Sequence, residues 1–200
     1  MTDAAVEPEQ PDRILTVPNL ISFVRLCCIP WFLVLLFGQD NRHAAAWLLA
    51  VLGCTDWVDG YIARRWNQVS TVGKVLDPTA DRLMLAVGVV AILVDGSVPV
   101  YIGVLTIVRE VTVGVAVLIL AAMGARRIDV TWAGKAGTFG QMVAYPLFLV
   151  SHAGVNWSDI GGVLGWIVIV PALVFSYWAA AQYVPLARKA LVDGRVGSTA

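Results

Sequence analysis

The amino-acid sequence predicts an all-α integral membrane protein that crosses the bilayer six times after a short interfacial helix at its N-terminus. Hydrophobic residues make up 58% of the 200-residue chain, whereas charged residues make up only 14%. Several apolar stretches reach the about 20 residues that a helix needs to cross a bilayer. The formal net charge is zero, so the chain lacks the basic surface typical of nucleic-acid-binding proteins. We therefore expect the lipid bilayer as a partner, and no nucleic acid.

The two ends of the chain differ in composition from the part between them. Residues 1–13 are acidic, contain two prolines, and lack the basic start and apolar core of a signal peptide. We predict a disordered tail there. Residues 14–22 are mildly amphipathic, which indicates an interfacial helix that leads into the first span. The membrane domain is predicted over residues 14–187, and a cytoplasmic tail over residues 188–200.

Six apolar segments follow one another in the membrane domain. Pro30 lies inside the first segment, where a membrane helix tolerates it. Asp77 and Pro78 suit the cap and the first turn of the third helix. The predicted spans are residues 21–37, 44–63, 77–94, 99–123, 138–150 and 161–184.

Positive charges are distributed unequally between the two ends of these spans. If the N-terminus is cytoplasmic, ten of the 14 Lys and Arg residues lie on that side, and only Arg42 lies on the other. Arg25, Arg82 and Arg109 lie within spans or at their ends. Since cytoplasmic loops carry an excess of Lys and Arg, we predict a multi-pass protein of the plasma membrane with both termini in the cytoplasm.

A run of four aspartates joins the second and third spans. Asp56 and Asp59 are three residues apart, and Asp77 and Asp81 are four apart. On helices, each pair lies on one face, one turn apart. Two such helices side by side direct four carboxylates into one space at the cytoplasmic ends of the spans.

Four carboxylates in a partly dry site repel one another strongly unless cations are present. Hard divalent ions with oxygen ligands satisfy them, and Mg²⁺ in proteins is usually shared with substrate phosphates. The neighbouring residues agree with phosphate chemistry. Gly60 and Gly73 allow close approach of a ligand or a second backbone, and Arg64 offers a fork of donors suited to a phosphate.

The run has the pattern D-x2-D-G-x2-A-R-x8-G-x3-D-x3-D, which resembles the signature of the CDP-alcohol phosphotransferase family at all eight fixed positions. The resemblance implies transfer of a phosphoalcohol unit from a CDP-linked donor to an acceptor hydroxyl, with release of CMP. It further implies two divalent ions, Mg²⁺ or Mn²⁺, held by Asp56, Asp59 and Asp77. Asp81 is implied as the general base and as a further contact to metal. The family also implies a homodimer.

The same resemblance indicates residues that bind the donor. Gly60 and Arg64 are expected to contact the CDP group, and Gly73 to permit close packing there, with a weaker match at Ser70. The segment that opens the first span carries Asn19 and Ser22. These two either contact the nucleotide or only begin and cap the helix.

Candidates for acceptor binding lie later in the chain. The adjacent pair Arg109 and Glu110 lies deep in the fourth span, where ionisable groups are expected to have partners and usually a function. The alternative is a polar contact between helices. Arg126, Arg127 and Lys135 form a basic rim that either binds an anionic acceptor or serves topology and contact with anionic lipids.

The chain resembles the phosphatidylglycerol branch of the family, which uses CDP-diacylglycerol as donor. Its acceptor is glycerol-3-phosphate, in phosphatidylglycerol phosphate synthases, or phosphatidylglycerol, in cardiolipin synthases. Members that use glycerol-3-phosphate carry cations at the positions of Val117 and Gly137. Because a phosphate dianion favours several cationic donors, their loss favours a cardiolipin-synthase-like enzyme with a lipid acceptor. A membrane transporter is the remaining alternative, and it does not explain the four aspartates.

Overall fold

The structure is a computed structural model that describes the backbone of residues 17–66, 73–122 and 131–197, and the side chains of residues 20, 23–55, 82–119 and 131–182. Within these ranges the chain is helical and contains no β-strand, which confirms the predicted all-α class. Two stretches, Val100–Ile119 and Ser158–Gln182, are long and apolar enough to cross a bilayer, consistent with a membrane protein. The predicted acidic tail lies outside the described residues.

Helix α1 is Val17–Leu33, and a π-helical turn, Val34–Gly38, continues it. Sequence analysis assigned residues 14–22 to an interfacial helix and residues 21–37 to a span. In the described part of this segment the two are one continuous helix. Pro30 lies inside α1, as expected for a proline that a membrane helix tolerates.

Helices α2 and α3 form the antiparallel pair that carries the aspartates. α2 is Arg42–Trp66, and the Asn41 side chain caps it by accepting a hydrogen bond from the Ala44 N–H at 2.9 Å. α3 is Gly73–Asp95 and is followed by Gly96, whose φ of 79° suits a glycine. The prediction that α3 is capped by Asp77 was wrong, because the helix begins four residues earlier.

The last three helices are α4, Val100–Ala122; α5, Trp132–Ser151; and α6, Ser158–Gly197. α5 begins six residues before the predicted span because the Thr131 hydroxyl accepts a hydrogen bond from the Gly134 N–H at 3.3 Å and caps the helix. α6 has 40 residues, so it continues through most of the segment predicted as a C-terminal tail.

The described helices pack most extensively as the pair α5–α6, followed by α2–α5 and α1–α3. Fully buried apolar side chains hold the bundle together where α2, α3 and α5 meet, among them Ala45, Ile92 and Leu149. These residues come from the start of α2 and the ends of α3 and α5. The described core therefore lies toward the ends of α2 and α3 that are remote from the aspartates.

Candidate active site

The four aspartates lie on two neighbouring helices. α2 carries Asp56 and Asp59, and α3 carries Asp77 and Asp81. The helical spacing predicted from the sequence is therefore confirmed, and residues at such spacing share one helix face. The side chains of all four lie outside the described part of the chain, so their chemical roles stay predictions.

The contact between α2 and α3 sets the relative depth of the two aspartate pairs. The helices are antiparallel, because the first residue of α2 bonds to the last residue of α3. Leu49 Cδ1 lies 3.6 Å from the position that a Cβ of Gly88 would take. Asp56 follows Leu49 by seven residues, and Asp81 precedes Gly88 by seven. With a rise of about 1.5 Å per residue, we infer that Asp56 and Asp81 lie at the same depth.

An apolar layer separates this level from the remote ends of the helices. Gly53 and Met84 pack with Met142 around a space of only about 10 Å³. Gly53 precedes Asp56 by three residues, and Met84 follows Asp81 by three. The layer thus lies one helical turn from both aspartates and closes the bundle beneath them.

A charged cluster ties α2 to α3 at the other end. The Arg42 Nε–H donates to Asp95 Oδ2 at 3.0 Å, and an Arg42 terminal nitrogen lies 2.8 Å from Asp40 Oδ1. The Ser97 hydroxyl also donates to Asp95, whose side chain is only 5% exposed. The hydrogen bond to Asp95 raises the pKa of Arg42. This cluster fixes the ends of the two helices that lie away from the aspartates.

Two of the predicted acceptor residues form an ion pair inside α4. Arg109 bonds to its neighbour Glu110 through a terminal nitrogen, and Arg109 is only 6% exposed. The Arg109 Nε is buried and has no hydrogen-bond partner among the described residues. Both sequence interpretations remain open, because the pair is an internal polar contact and also leaves one buried donor available.

Lys135, a third acceptor candidate, is exposed in the first turns of α5. The Met142 Cβ lies 3.7 Å from the position that a Cβ of Gly53 would take. Lys135 precedes Met142 by seven residues, and Gly60 follows Gly53 by seven. Since α2 and α5 are antiparallel, we infer that Lys135 lies level with Gly60, one of the predicted donor-binding residues.

Sequence analysis missed a set of buried polar contacts between α4, α5 and α6. The Tyr145 hydroxyl donates to Thr106 Oγ1 at 2.6 Å, and the Gln141 Nε2–H donates to Ser176 Oγ at 3.1 Å. Gln141 and Ser176 are both fully buried. The sequence signal that could have predicted these contacts is a glutamine followed four residues later by a tyrosine in an apolar helix. Polar groups in such helices usually face the bundle interior.

The two positions that favoured a lipid acceptor have different surroundings. Gly137 packs against α6, where an added Cβ would lie 2.8 Å from the Ser176 backbone N and 2.9 Å from the Ala172 O. Val117 is 37% exposed on α4. Close packing is therefore a sufficient reason for glycine at position 137, whereas no such constraint acts at position 117.

Several predicted site residues lie beyond the structural description. Ser70, Arg126 and Arg127 lie outside the described residues. The structure describes only the backbone of Asn19, Ser22, Gly60, Arg64 and Gly73. Their assignments stay predictions. Arg25, which shares α1 with the predicted donor-binding segment, is 1% exposed and is thus part of the bundle interior.

Comparison with known proteins agrees with the motif. The family model described as CDP-alcohol phosphatidyltransferase matches residues 15–178. The chain belongs to this family. The match includes all six helices in part or whole, and it covers the aspartate motif, the ion pair in α4 and the α5–α6 contact.

Curated relatives include both enzymes of the phosphatidylglycerol branch. A cardiolipin synthase (CMP-forming) of Streptomyces coelicolor is 37% identical over 186 residues, covering 90% of this chain and 86% of the relative. A putative cardiolipin synthase of Mycobacterium tuberculosis is 34% identical over 175 residues, covering 86% and 82%. A CDP-diacylglycerol–glycerol-3-phosphate 3-phosphatidyltransferase of Escherichia coli is 32% identical over 185 residues, covering 88% and 97%.

These matches establish the reaction class. The protein is an enzyme, a transferase of phospholipid biosynthesis in the CDP-alcohol phosphatidyltransferase family. The resemblance stated from the motif alone is thus confirmed.

Proposed function

We propose that the protein transfers a phosphatidyl group from CDP-diacylglycerol to the hydroxyl of a glycerol-type acceptor and releases CMP. The observation that carries this proposal is the full D-x2-D-G-x2-A-R-x8-G-x3-D-x3-D pattern on two antiparallel helices, with Asp56 and Asp81 at one depth. A family motif alone gives the reaction class. The shared depth of Asp56 and Asp81 explains how two segments that are distant in sequence act on one substrate.

The donor set of this site fits two divalent ions. Four carboxylates at one end of two neighbouring helices supply hard oxygen ligands, which Mg²⁺ and Mn²⁺ prefer. Asp56, Asp59 and Asp77 would hold the ions, with Asp81 as an additional contact. When bound, such ions neutralise charge on a diphosphate and favour departure of the nucleotide.

The chain's own residues have separate tasks in this proposal. Asp81 takes the proton from the acceptor hydroxyl, which requires only that the hydroxyl is held within hydrogen-bond reach. Arg64 and Gly60 bind the CDP group, with Gly73, Ser70, Asn19 and Ser22 as further contacts. The apolar layer at Gly53 and Met84 excludes water from one side of the site, which strengthens the electrostatic contacts inside it.

For the acceptor, we favour phosphatidylglycerol, which makes the enzyme a cardiolipin synthase. The relative with 37% identity bears that name, and Val117 takes the place of a cation. The alternative is glycerol-3-phosphate, which the enzyme with 32% identity uses by name. It is favoured by Arg109 and Lys135, which remain available for a phosphate.

The setting proposed for this reaction is the plasma membrane. The chain would cross the bilayer six times, with both termini and the aspartates on the cytoplasmic side, and would form a homodimer. The unequal distribution of Lys and Arg supports this orientation, and CDP-diacylglycerol then presents its nucleotide to cytoplasmic water.

The test is CMP release from CDP-diacylglycerol by the purified protein with Mg²⁺, measured with each acceptor separately. Release with phosphatidylglycerol and not with glycerol-3-phosphate supports the cardiolipin synthase. Release only with glycerol-3-phosphate supports the alternative and overturns our choice of acceptor. A protein that releases no CMP with either acceptor would contradict the proposed donor and acceptors.

A further inference from the structure

The surface between α2 and α5 contains an apolar groove with a volume of about 270 Å³. On the α2 side its floor consists of Ala46, Ala50 and Gly53, which share one helix face and leave room because their side chains are small. On the α5 side its wall includes Phe139 and Val143. Because the groove is almost wholly apolar, an alkyl chain is the kind of ligand that suits it.

The groove begins at the level of the aspartates. Cys54, which lines its near end, precedes Asp56 by two residues. Gly53 faces Met142, and Phe139 precedes Met142 by three residues, as Gly53 precedes Asp56 by three. Phe139 therefore lies level with Asp56, and an alkyl chain in the groove would start beside the proposed reaction centre.

Two tryptophans lie at the far end of the groove. Trp47 lines the groove together with Trp157, and the Trp47 indole N–H donates to His43 Nε2 at 3.0 Å. Trp47 precedes Cys54 by seven residues, so the groove runs for about 10 Å along α2. It leads away from the aspartates and from the predicted cytoplasmic end of the span, which is the direction that the acyl chains of a phospholipid in that leaflet take from its phosphate.

The side of the groove is open along its length. Phe139 is 57% exposed and Trp47 is 54% exposed, so a lipid could enter laterally from the bilayer without crossing the bundle.

One cation lies at the mouth of the groove among the described residues of this face. Lys135 precedes Phe139 by four residues, so the two share a face of α5, and Lys135 is exposed. An apolar groove with an ammonium group at one end is complementary to a lipid with a single phosphate charge. The diphosphate of the donor is already provided for by the proposed aspartate site, whereas a phospholipid acceptor requires a cation of its own.

We propose that the α2–α5 groove and Lys135 together form the binding site for the acceptor phospholipid. The phosphodiester of phosphatidylglycerol lies beside Lys135, and one acyl chain occupies the groove as far as Trp47 and Trp157. This inference rests on the proposed function and identifies the residues that select a lipid acceptor over a soluble one.

The test compares phosphatidylglycerol with dioleoyl and dioctanoyl chains as acceptors for the full-length enzyme, with CMP release as readout. Ala50→Phe fills the floor of the groove and Val143→Trp fills its wall. We expect each to raise KM for the dioleoyl acceptor about tenfold and to leave the chain-length dependence of the donor unchanged. Ala181→Phe, at an exposed alanine of α6, is the matched control and should behave as the wild type.

Lys135 is tested separately. Lys135→Gln should raise KM for phosphatidylglycerol with little change in kcat, and Lys135→Arg should restore most of the affinity, because a single phosphodiester needs one cation and no fixed geometry.

The outcomes separate this inference from the proposed function. If the groove variants change the chain-length dependence of the donor instead, the groove binds the donor and the inference is wrong. It is also wrong if neither dependence changes. A wild-type enzyme that uses only glycerol-3-phosphate overturns both the choice of acceptor and the groove assignment, while the phosphatidyl transfer itself stands.

Discussion

The helix pairs α5–α6 and α2–α3 are both antiparallel, but they approach each other in different ways. Along α5, Gly137 and Gly140 let the two backbones come together, and a Cβ at Gly140 would lie 2.7 Å from the Ala172 Cβ. α2 and α3 touch through longer side chains, such as Leu49 against Gly88, and are tied by Arg42 and Asp95 at one end.

The difference indicates that α5–α6 supports the fold, whereas α2–α3 carries the predicted site residues. The close backbone contact at Gly137 and Gly140 leaves no room for a ligand between α5 and α6 at that level, so this part of the pair serves as a fixed wall. α2 and α3 are held apart by side chains and tied at one end, and the four aspartates lie toward the other end. Substitutions of the aspartates should therefore lower turnover with little change in stability, whereas substitutions in the α5–α6 contact should lower stability.

The largest effect on activity is expected from Asp81→Asn. If Asp81 is the general base, turnover should fall by about 10²–10⁴-fold, while the thermal unfolding temperature changes little. The measurement is CMP release with Mg²⁺, with unfolding followed in the same detergent. Turnover close to that of the wild type would exclude Asp81 as the base.

The largest effect on stability is expected from Gly137→Lys. Its side chain has no room against Ser176 and Ala172, so α5 and α6 must separate, at a cost of about 3 kcal/mol. Gly88→Ala on α3 is the matched control, because its added Cβ would meet Leu49 at an ordinary 3.6 Å. A Gly137→Lys protein as stable as the control would show that the α5–α6 contact is not a fixed wall.

A smaller loss of stability is expected from Arg42→Gln. Removing the guanidinium leaves the largely buried Asp95 without its partner in α2, which costs about 1–3 kcal/mol. A double-mutant cycle with Asp95→Asn measures the coupling between the two helices. Additive effects of the two substitutions would mean that the cluster does not tie α2 to α3.

The smallest effect is expected from Val117→Arg, which restores a cation at an exposed position of α4. Near the end of a membrane helix the long side chain extends to water, so stability should change by about 0.5 kcal/mol or less. Turnover with glycerol-3-phosphate should rise slightly, because the added cation supplies one of the two that members using this acceptor carry. An unchanged preference between the two acceptors would exclude position 117 from the acceptor site.

Much of the architecture was predictable from the sequence, because membrane helices appear as long apolar stretches. The spacing within the aspartate motif also predicted that each pair of aspartates lies on a helix. The predicted start of α3 was wrong, because Asp77 and Pro78 satisfy local capping rules although the helix begins at Gly73. Local rules cannot detect a helix that continues through a favourable cap.

Contacts between distant segments were not predictable. The bonds from Tyr145 to Thr106 and from Gln141 to Ser176 join residues far apart in sequence, and apolar periodicity does not specify which helices pair when lipid also suits Leu and Val. Gly137 is a second example of a role that the sequence does not reveal. Its sequence position suggested a missing charge, whereas the structure gives it a packing role against α6.

The length of α6 has a mechanical consequence. Its 40 residues extend about 60 Å, roughly twice the thickness of the hydrocarbon core of a bilayer, so the C-terminal part of the helix projects well beyond the segment Ser158–Gln182 that is apolar enough to span. A projecting helical segment of this kind acts as a lever. Because α6 is interlocked with α5, sideways force on its end near Gly197 would be transmitted to the helix that also forms one wall of the α2–α5 groove.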